Sequence, residues 1–161
     1  MFCLPLIPLA STTPRVFTRG ADGMSEPKAN NSAPKHQPRA VIYVVDDEPM
    51  LLELASVILE PLGYSVKTFR DPDAAIRTFS SAKPAPALVI TDYAMHTTNG
   101  LDLIKACRGV QPRQRMLLVS GTVDEHVYRD SPDKPDCFLA KPYQAKDLVQ
   151  AVESLLGAHT V

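Results

Sequence analysis

The sequence predicts an α/β domain on a five-stranded parallel sheet, and three observations predict it. Short apolar runs recur at Val41–Val45, 87–91, 115–119 and Cys137–Ala140, and uninterrupted runs of this length are how strands buried on both faces of a parallel sheet read. Segments with helical spacing alternate with them. Each run stops at a residue with chemistry: Asp46 and Asp47, then Asp92, then Ser120, then Lys141. Ligands of open parallel sheets lie beyond the carboxyl ends of the strands. Three carboxylates, a hydroxyl and a lysine therefore converge on one edge of the sheet. Three carboxylates without a cation repel each other, so the cluster calls for a divalent metal.

The elements follow in order. Val41–Val45 is the first strand. Pro49 occupies a first-turn position and 50–60 reads as the first helix, stopped by Gly63. Ser65–Phe69 is the second strand. Asp71 then caps, with Pro72 behind it, a second helix running to about Ser80. Residues 87–91 form the third strand. Asn99-Gly100 marks a turn before a helix over 101–108, and 115–119 is the fourth strand. Residues 123–129 have room for a short fourth helix only, because Pro132 and Pro135 stop it. The fifth strand spans 136–140. A last helix covers 144–156, with Leu148, Val152 and Leu155 at helical spacing and Gly157 as the stop. Five βα repeats imply right-handed crossovers and one parallel sheet. On the first helix Leu51, Leu54, Ala55 and Ile58 are expected to cover the sheet. Met50, Leu52, Val57 and Leu59 are left as flanking apolar surface, a candidate docking face for a partner helix.

Residues 1–39 differ in kind. They hold Pro5, Pro8, Pro14, Pro27, Pro34 and Pro38 among Ser, Thr, Asn and Lys. Too little apolar area is available there to offset the ordering entropy, which predicts a disordered tail. Residues 40–157 are the globular domain and 158–161 a short C-terminal tail. Met1 to Ala10 is apolar but lacks a basic flank, so a signal peptide is not expected. Met24 is a plausible natural start. The chain has 161 residues, with 17 Lys and Arg against 18 Asp and Glu. That balance argues against nucleic acid or an anionic membrane as general partners. No apolar stretch is long enough to span a bilayer. Cys3, Cys107 and Cys137 have neither metal-type nor disulfide-framework spacing and read as reduced thiols, which suits a cytoplasmic location.

Hard oxygen ligands with room for water and phosphate oxygens suit Mg²⁺. A carboxylate such as Asp92 is also a nucleophile toward phosphorus, with a metal to neutralise the transferring group. Ser120 can hydrogen-bond a phosphoryl oxygen and Lys141 can pair with it. The ordered set is specific: Val44-Val45-Asp46-Asp47-Glu48-Pro49, Thr91-Asp92-Tyr93-Ala94-Met95 with Asn99-Gly100, Leu118-Val119-Ser120-Gly121, and Phe138-Leu139-Ala140-Lys141-Pro142-Tyr143. In these segments the chain resembles the response-regulator receiver domain, the CheY-like family of two-component signalling, over roughly residues 40 to 157. The resemblance implies a doubly wound flavodoxin/CheY-like (βα)5 fold with strand order 2-1-3-4-5. It implies that Asp92 is the phosphoacceptor, fed by a histidine kinase or histidine phosphotransfer protein. Asp47 would bind Mg²⁺ directly and Asp46 through water, with Asp92 and the Ala94 carbonyl as further ligands. Ser120 would move toward the phosphoryl group while Phe138 swings inward behind it, and the Lys141-Pro142 peptide would be cis.

Some positions depart from the family pattern. His96 stands where proline is usual, and reads as an exposed loop histidine, with a proton-linked role as the alternative. Phe138 lacks a tyrosine hydroxyl. Glu48 reads as part of the first turn of the first helix, Met95 as packing under its loop, and Tyr143 as a shield for the last helix. His36, His126 and His159 have no ligand spacing.

The function expected is that of a stand-alone receiver in a phosphorelay. It would be no enzyme beyond its own phosphorylation and dephosphorylation, and would signal to a downstream protein of unknown identity by phosphorylation-dependent binding or phosphate relay. The alternative is a Mg²⁺-dependent aspartyl phosphatase of the haloacid-dehalogenase type. It would use Asp46 as nucleophile, Glu48 as the second acid and Asp147 as the acid after the lysine, and it leaves Asp92 unexplained.

Overall fold

The computed structural model describes residues 39–122 and 125–157. Of the expected tails over 1–39 and 158–161, residues 1–38 and 158–161 lie outside the described residues, as do the Met24 start, Cys3, His36 and His159. Arg39 is described, and its backbone N–H donates to the Gly63 carbonyl at 2.9 Å. Five strands form one parallel sheet: β1 (Val41–Val45), β2 (Ser65–Phe69), β3 (Leu88–Asp92), β4 (Met116–Ser120) and β5 (Cys137–Ala140), in the order β2-β1-β3-β4-β5. Four α-helices connect and cover it: α1 (Pro49–Leu59), α2 (Pro72–Ser81), α3 (Gly100–Val110) and α4 (Ala145–Leu156). The doubly wound order is the one the resemblance implies.

Burial on both faces explains the apolar runs. On one face Ile42, Val44, Leu88, Ile90, Leu117 and Val119 pack under Leu52, Ala55 and Leu59 of α1 and Leu148, Ala151 and Val152 of α4. On the other, Tyr43, Val45, Val89, Met116 and Leu118 meet Ala75 and Phe79 of α2 and Leu103, Ile104 and Cys107 of α3. Helix ends use local chemistry. The Asp71 carboxylate accepts the Asp73 N–H at 3.0 Å, and the Asn99 side chain accepts the Asp102 N–H at 2.9 Å. Asn99-Gly100 is thus the start of α3 itself rather than a turn before it. Gly63 ends the first helical segment at φ +88°, a left-handed conformation that favours glycine. Gly100 has a different reason: a Cβ there would meet the Asp92 carbonyl oxygen at 2.5 Å. Only glycine lets α3 start this close to the end of β3.

Three expectations are corrected. Strands β3 and β4 run one residue later than 87–91 and 115–119, because Asp92 pairs with Val119 and Ser120 with Ala140 in the ladder. The fourth helix is a single 3-10 turn at Glu125–Val127. The segment after it is polar and proline-broken, so Tyr128 alone of 126–130 is buried, where a helix would need an apolar stripe. On α1 the core face holds Leu52, Ala55 and Leu59, while Met50 is 75% exposed, Val57 63% and Leu54 42%. Leu52 and Leu59 are core, not docking surface, and Leu54 is surface.

Cys107 and Cys137 are free thiols. Burial pushes the Cys107 thiol up from its ordinary 9.0 to about 12. A raised folded value means that the neutral buried thiol stabilises the fold below about pH 9, and that this contribution is lost as pH climbs toward 12. Iodoacetamide at pH 8 should therefore leave Cys107 unmodified in the folded protein and modify it fully in urea, as read by peptide mass mapping. Rapid alkylation of Cys107 in the folded state would contradict its burial.

Candidate functional site

Strand register brings the chemistry-bearing residues together. Val45 pairs with Thr91, Asp92 with Val119, and Ser120 with Ala140. Asp46 and Asp92 therefore leave neighbouring strands at the same level. Lys141 lies two residues further out, roughly 6.6 Å along the strand direction, and only a long side chain can return from there to the acids. Its Nζ donates to Asp92 Oδ1 at 2.8 Å and to Asp46 Oδ2 at 3.1 Å. Asp46 and Asp92 are buried, at 6% and 7% exposure.

Backbone amides fix the remaining oxygens. Asp46 Oδ1 accepts the Glu48 N–H at 2.8 Å, and Asp92 Oδ2 accepts the Ala94 N–H at 3.0 Å. Asp47 is half-buried and pairs with His96, whose Nδ1 contacts Asp47 Oδ2. One carboxylate oxygen from each of Asp46, Asp47 and Asp92 lies within 4.8 Å of the others. Three convergent hard oxygen donors fit a small divalent cation. The electrostatics agree. Burial raises the Asp46 carboxyl above its ordinary value, although the Glu48 amide and Lys141 pull the other way. For Lys141, burial works against its charge, but Asp92 and Asp46 outweigh it and hold the ammonium above its ordinary value.

Ser120 ends β4 beside this group. It continues the face of Leu118, and its Oγ accepts the Thr122 N–H at 3.1 Å. Phe138 is partly buried against Tyr128, with ring centroids 5.4 Å apart. Lys141-Pro142 is cis. Met95 packs against the α2/α3 core and Tyr143 against the α1/α4 core. Tyr143 also lines a cavity of about 10 Å³ behind Asp46 and Asp92. His126 is exposed. Two partners escaped the sequence reading: His96 on Asp47, and Thr122 on Ser120. The first is a contact across 49 positions that no local motif announces.

Of the residues the phosphatase alternative needs, Asp46 lies in the acid cluster but Glu48 and Asp147 do not join it. Glu48 is the exposed residue before α1. Asp147 accepts the Gln144 N–H at 2.8 Å, which commits it to the start of α4.

Comparison with known proteins agrees with the geometry. A family model described as "Response regulator receiver domain" matches residues 42–153. The nitrogen assimilation regulatory protein NtrX of Azorhizobium caulinodans is 31% identical over 122 residues, covering 71% of this chain and 26% of that protein. The probable transcriptional regulatory protein TcrX of Mycobacterium tuberculosis is 29% identical over 117 residues, covering 71% and 49%. This chain thus spans between a quarter and a half of the length of these curated relatives. Among solved structures, a response regulator receiver domain protein from Clostridium thermocellum superposes with a TM-score of 0.67 at 26% identity, covering 73% of this chain and 94% of that one. The response regulator TrrA from Thermotoga maritima, in complex with Mg²⁺-BeF, gives 0.63 at 28% identity, covering 72% and 98%.

Removing the lysine exposes the imbalance it corrects. Lys141→Met leaves Asp46 and Asp92 buried without their shared cation, and breaking a buried pair in this way costs about 3 kcal/mol. Burial then raises Asp46 further, and stability held by a raised acid is present at low pH and lost as pH rises. Urea melts should show the full loss at pH 8 and a smaller one at pH 5. An equal loss at both would place the role of Lys141 in packing rather than charge.

Proposed function

The chain belongs to the response regulator receiver domain family, and we propose that it accepts a phosphoryl group on Asp92 from a phosphohistidine. The observation that carries this reading is the Lys141 ammonium held between Asp92 and Asp46, with Asp47 converging on the same point. An Asp92 carboxylate oxygen attacks phosphorus, the P–N bond breaks, the imidazole leaves and takes up a proton, and an aspartyl phosphate remains. Water later returns the carboxylate and releases phosphate. Asp46, Asp47 and Asp92 would hold Mg²⁺, with the Ala94 carbonyl as a further donor. That ion would neutralise charge on the transferring phosphoryl group. Lys141 pairs with the phosphoryl oxygens as a point charge, and Ser120 turns from Thr122 to hydrogen-bond them. Phe138 then follows Ser120 inward from its place against Tyr128. Under this reading the chain turns over no substrate other than its own phosphoryl group.

Output is proposed to run through protein binding or phosphate relay, with a histidine kinase or phosphotransfer protein upstream. No helix among the described residues is long and apolar enough to cross a membrane, and we place the protein in the cytoplasm. The exposed stripe on α1 supports a helical partner. Met50, Leu54 and Val57 recur at helical spacing around a shallow cleft of about 390 Å³ that begins at Glu48, two residues from Asp46. A helix laid there would bring a histidine to the mouth of the acid site.

Incubation with a small phosphodonor and Mg²⁺ should add one phosphoryl group by mass spectrometry. Asp92→Asn, or wild type with excess chelator, should add none; full labelling of either would sink the assignment. Replacing Met50 and Val57 with Gln should slow transfer from a phosphohistidine donor about tenfold, a loss of about 1.4 kcal/mol in the transition state. Labelling by the small phosphodonor should be unchanged. Equal slowing with both donors would show that the stripe is not a docking face.

A further inference from the structure

Of the three acids, Asp46 and Asp92 share the Lys141 ammonium, whereas Asp47 faces an imidazole. His96 lies four residues beyond Asp92, in the loop from β3 to α3, and its Nδ1 touches Asp47 Oδ2. Both residues line an open cleft of about 370 Å³ with Arg70, Asp71, Met95 and Thr97. The His96 side chain is 88% exposed, so its ring can turn toward the cluster without disturbing packing. The His96 nitrogens are not yet among the donor atoms that converge within 4.8 Å, which are those of Asp46, Asp47 and Asp92. Ligation would take a turn of the ring about a contact that already reaches one of the three acids.

We propose that His96 is a ligand of this site and supplies an imidazole nitrogen, so that the centre selects Mn²⁺ or Co²⁺ over Mg²⁺ more strongly than its carboxylates alone would. The proposal rests on the metal reading of the acid cluster above. An all-oxygen site suits Mg²⁺, which dehydrates reluctantly and demands near-ideal octahedral geometry. Imidazole is a borderline donor, and first-row transition ions gain more from it than Mg²⁺ does, Mn²⁺ the least of them and Co²⁺ more. The ring is exposed and contacts Asp47, which is not among the acids that the Lys141 ammonium hydrogen-bonds. It therefore adds a donor without displacing the ammonium that Asp92 and Asp46 need.

Calorimetric titration of the full chain with Mg²⁺ and with Mn²⁺ tests the idea, with wild type and His96→Ala compared. The Mn²⁺ over Mg²⁺ preference should fall about tenfold on substitution, the lower end of what loss of a metal-site partner costs. Pulsed electron paramagnetic resonance of the Mn²⁺-loaded chain should show a directly bound ¹⁴N in wild type and none in His96→Ala. If both ions bind and neither the preference nor the nitrogen signal changes, His96 is no ligand and the acid site stands. A fall in both affinities by the same factor with no bound nitrogen makes His96 a hydrogen-bonding partner of Asp47 and overturns its ligation. Absence of any binding to wild type overturns the inference and the metal reading together.

Discussion

The arrangement turns on one ammonium shared by two buried carboxylates. Two acids about 4 Å apart repel by about 4 kcal/mol at an effective dielectric near 20. Lys141 Nζ, at 2.8 and 3.1 Å from Asp92 and Asp46, offsets that repulsion. Much of the fold's detail is what this geometry requires. β1 and β3 must be neighbours for Asp46 and Asp92 to emerge level. β5 must follow β4 on the far side so that Lys141 starts two residues further out and returns inward. Gly100 must be glycine so that α3 can begin against the Asp92 carbonyl. The third acid, Asp47, is not covered by the ammonium, and its oxygen is the one turned toward the open cleft.

Charge in the site and packing below it are coupled through the α1/α4 face. Asp92 is two residues on from Ile90 and continues that face. Behind it and Asp46 lie Leu51, Ala55, Leu148 and Tyr143 around a cavity that holds about one water-sized volume. This apolar floor is why burial raises Asp46 even with Lys141 attached. Ser120 and Phe138 belong to the opposite face, with Tyr128. A change in what Ser120 bonds is thereby felt in the packing against α2 and α3, while a change at Lys141 is felt under α1 and α4.

The strands and the acid cluster were legible because one feature specified both: each apolar run ends in a residue that the core cannot hold. The same feature set the one-residue offset, since Asp92 and Ser120 are polar yet still pair in the ladder. The orientation of α1 was not legible. Its apolar residues occupy three sides of the helix, so periodicity alone admits more than one core face, and packing against β1 and α4 selects Leu52, Ala55 and Leu59. The segment between β4 and β5 was half legible. Pro132 and Pro135 limited it to something short, but the anchors that replace a helix are tertiary: Arg108 donates to the Lys134 carbonyl at 2.6 Å and to Asp136 at 3.0 Å. The contact between His96 and Asp47 joins two loops distant in sequence, and an exposed histidine in isolation carries no sign of it.

The central claim is that these side chains serve one reacting carboxylate. Borohydride reduction of the phosphodonor-treated chain tests it most directly, because hydride converts an aspartyl phosphate, but not a free carboxylate, to homoserine. Peptide mass mapping should find homoserine at position 92 alone, and only when Mg²⁺ was present during labelling. Homoserine at position 46 or 47, or labelling indifferent to the metal, would contradict the account.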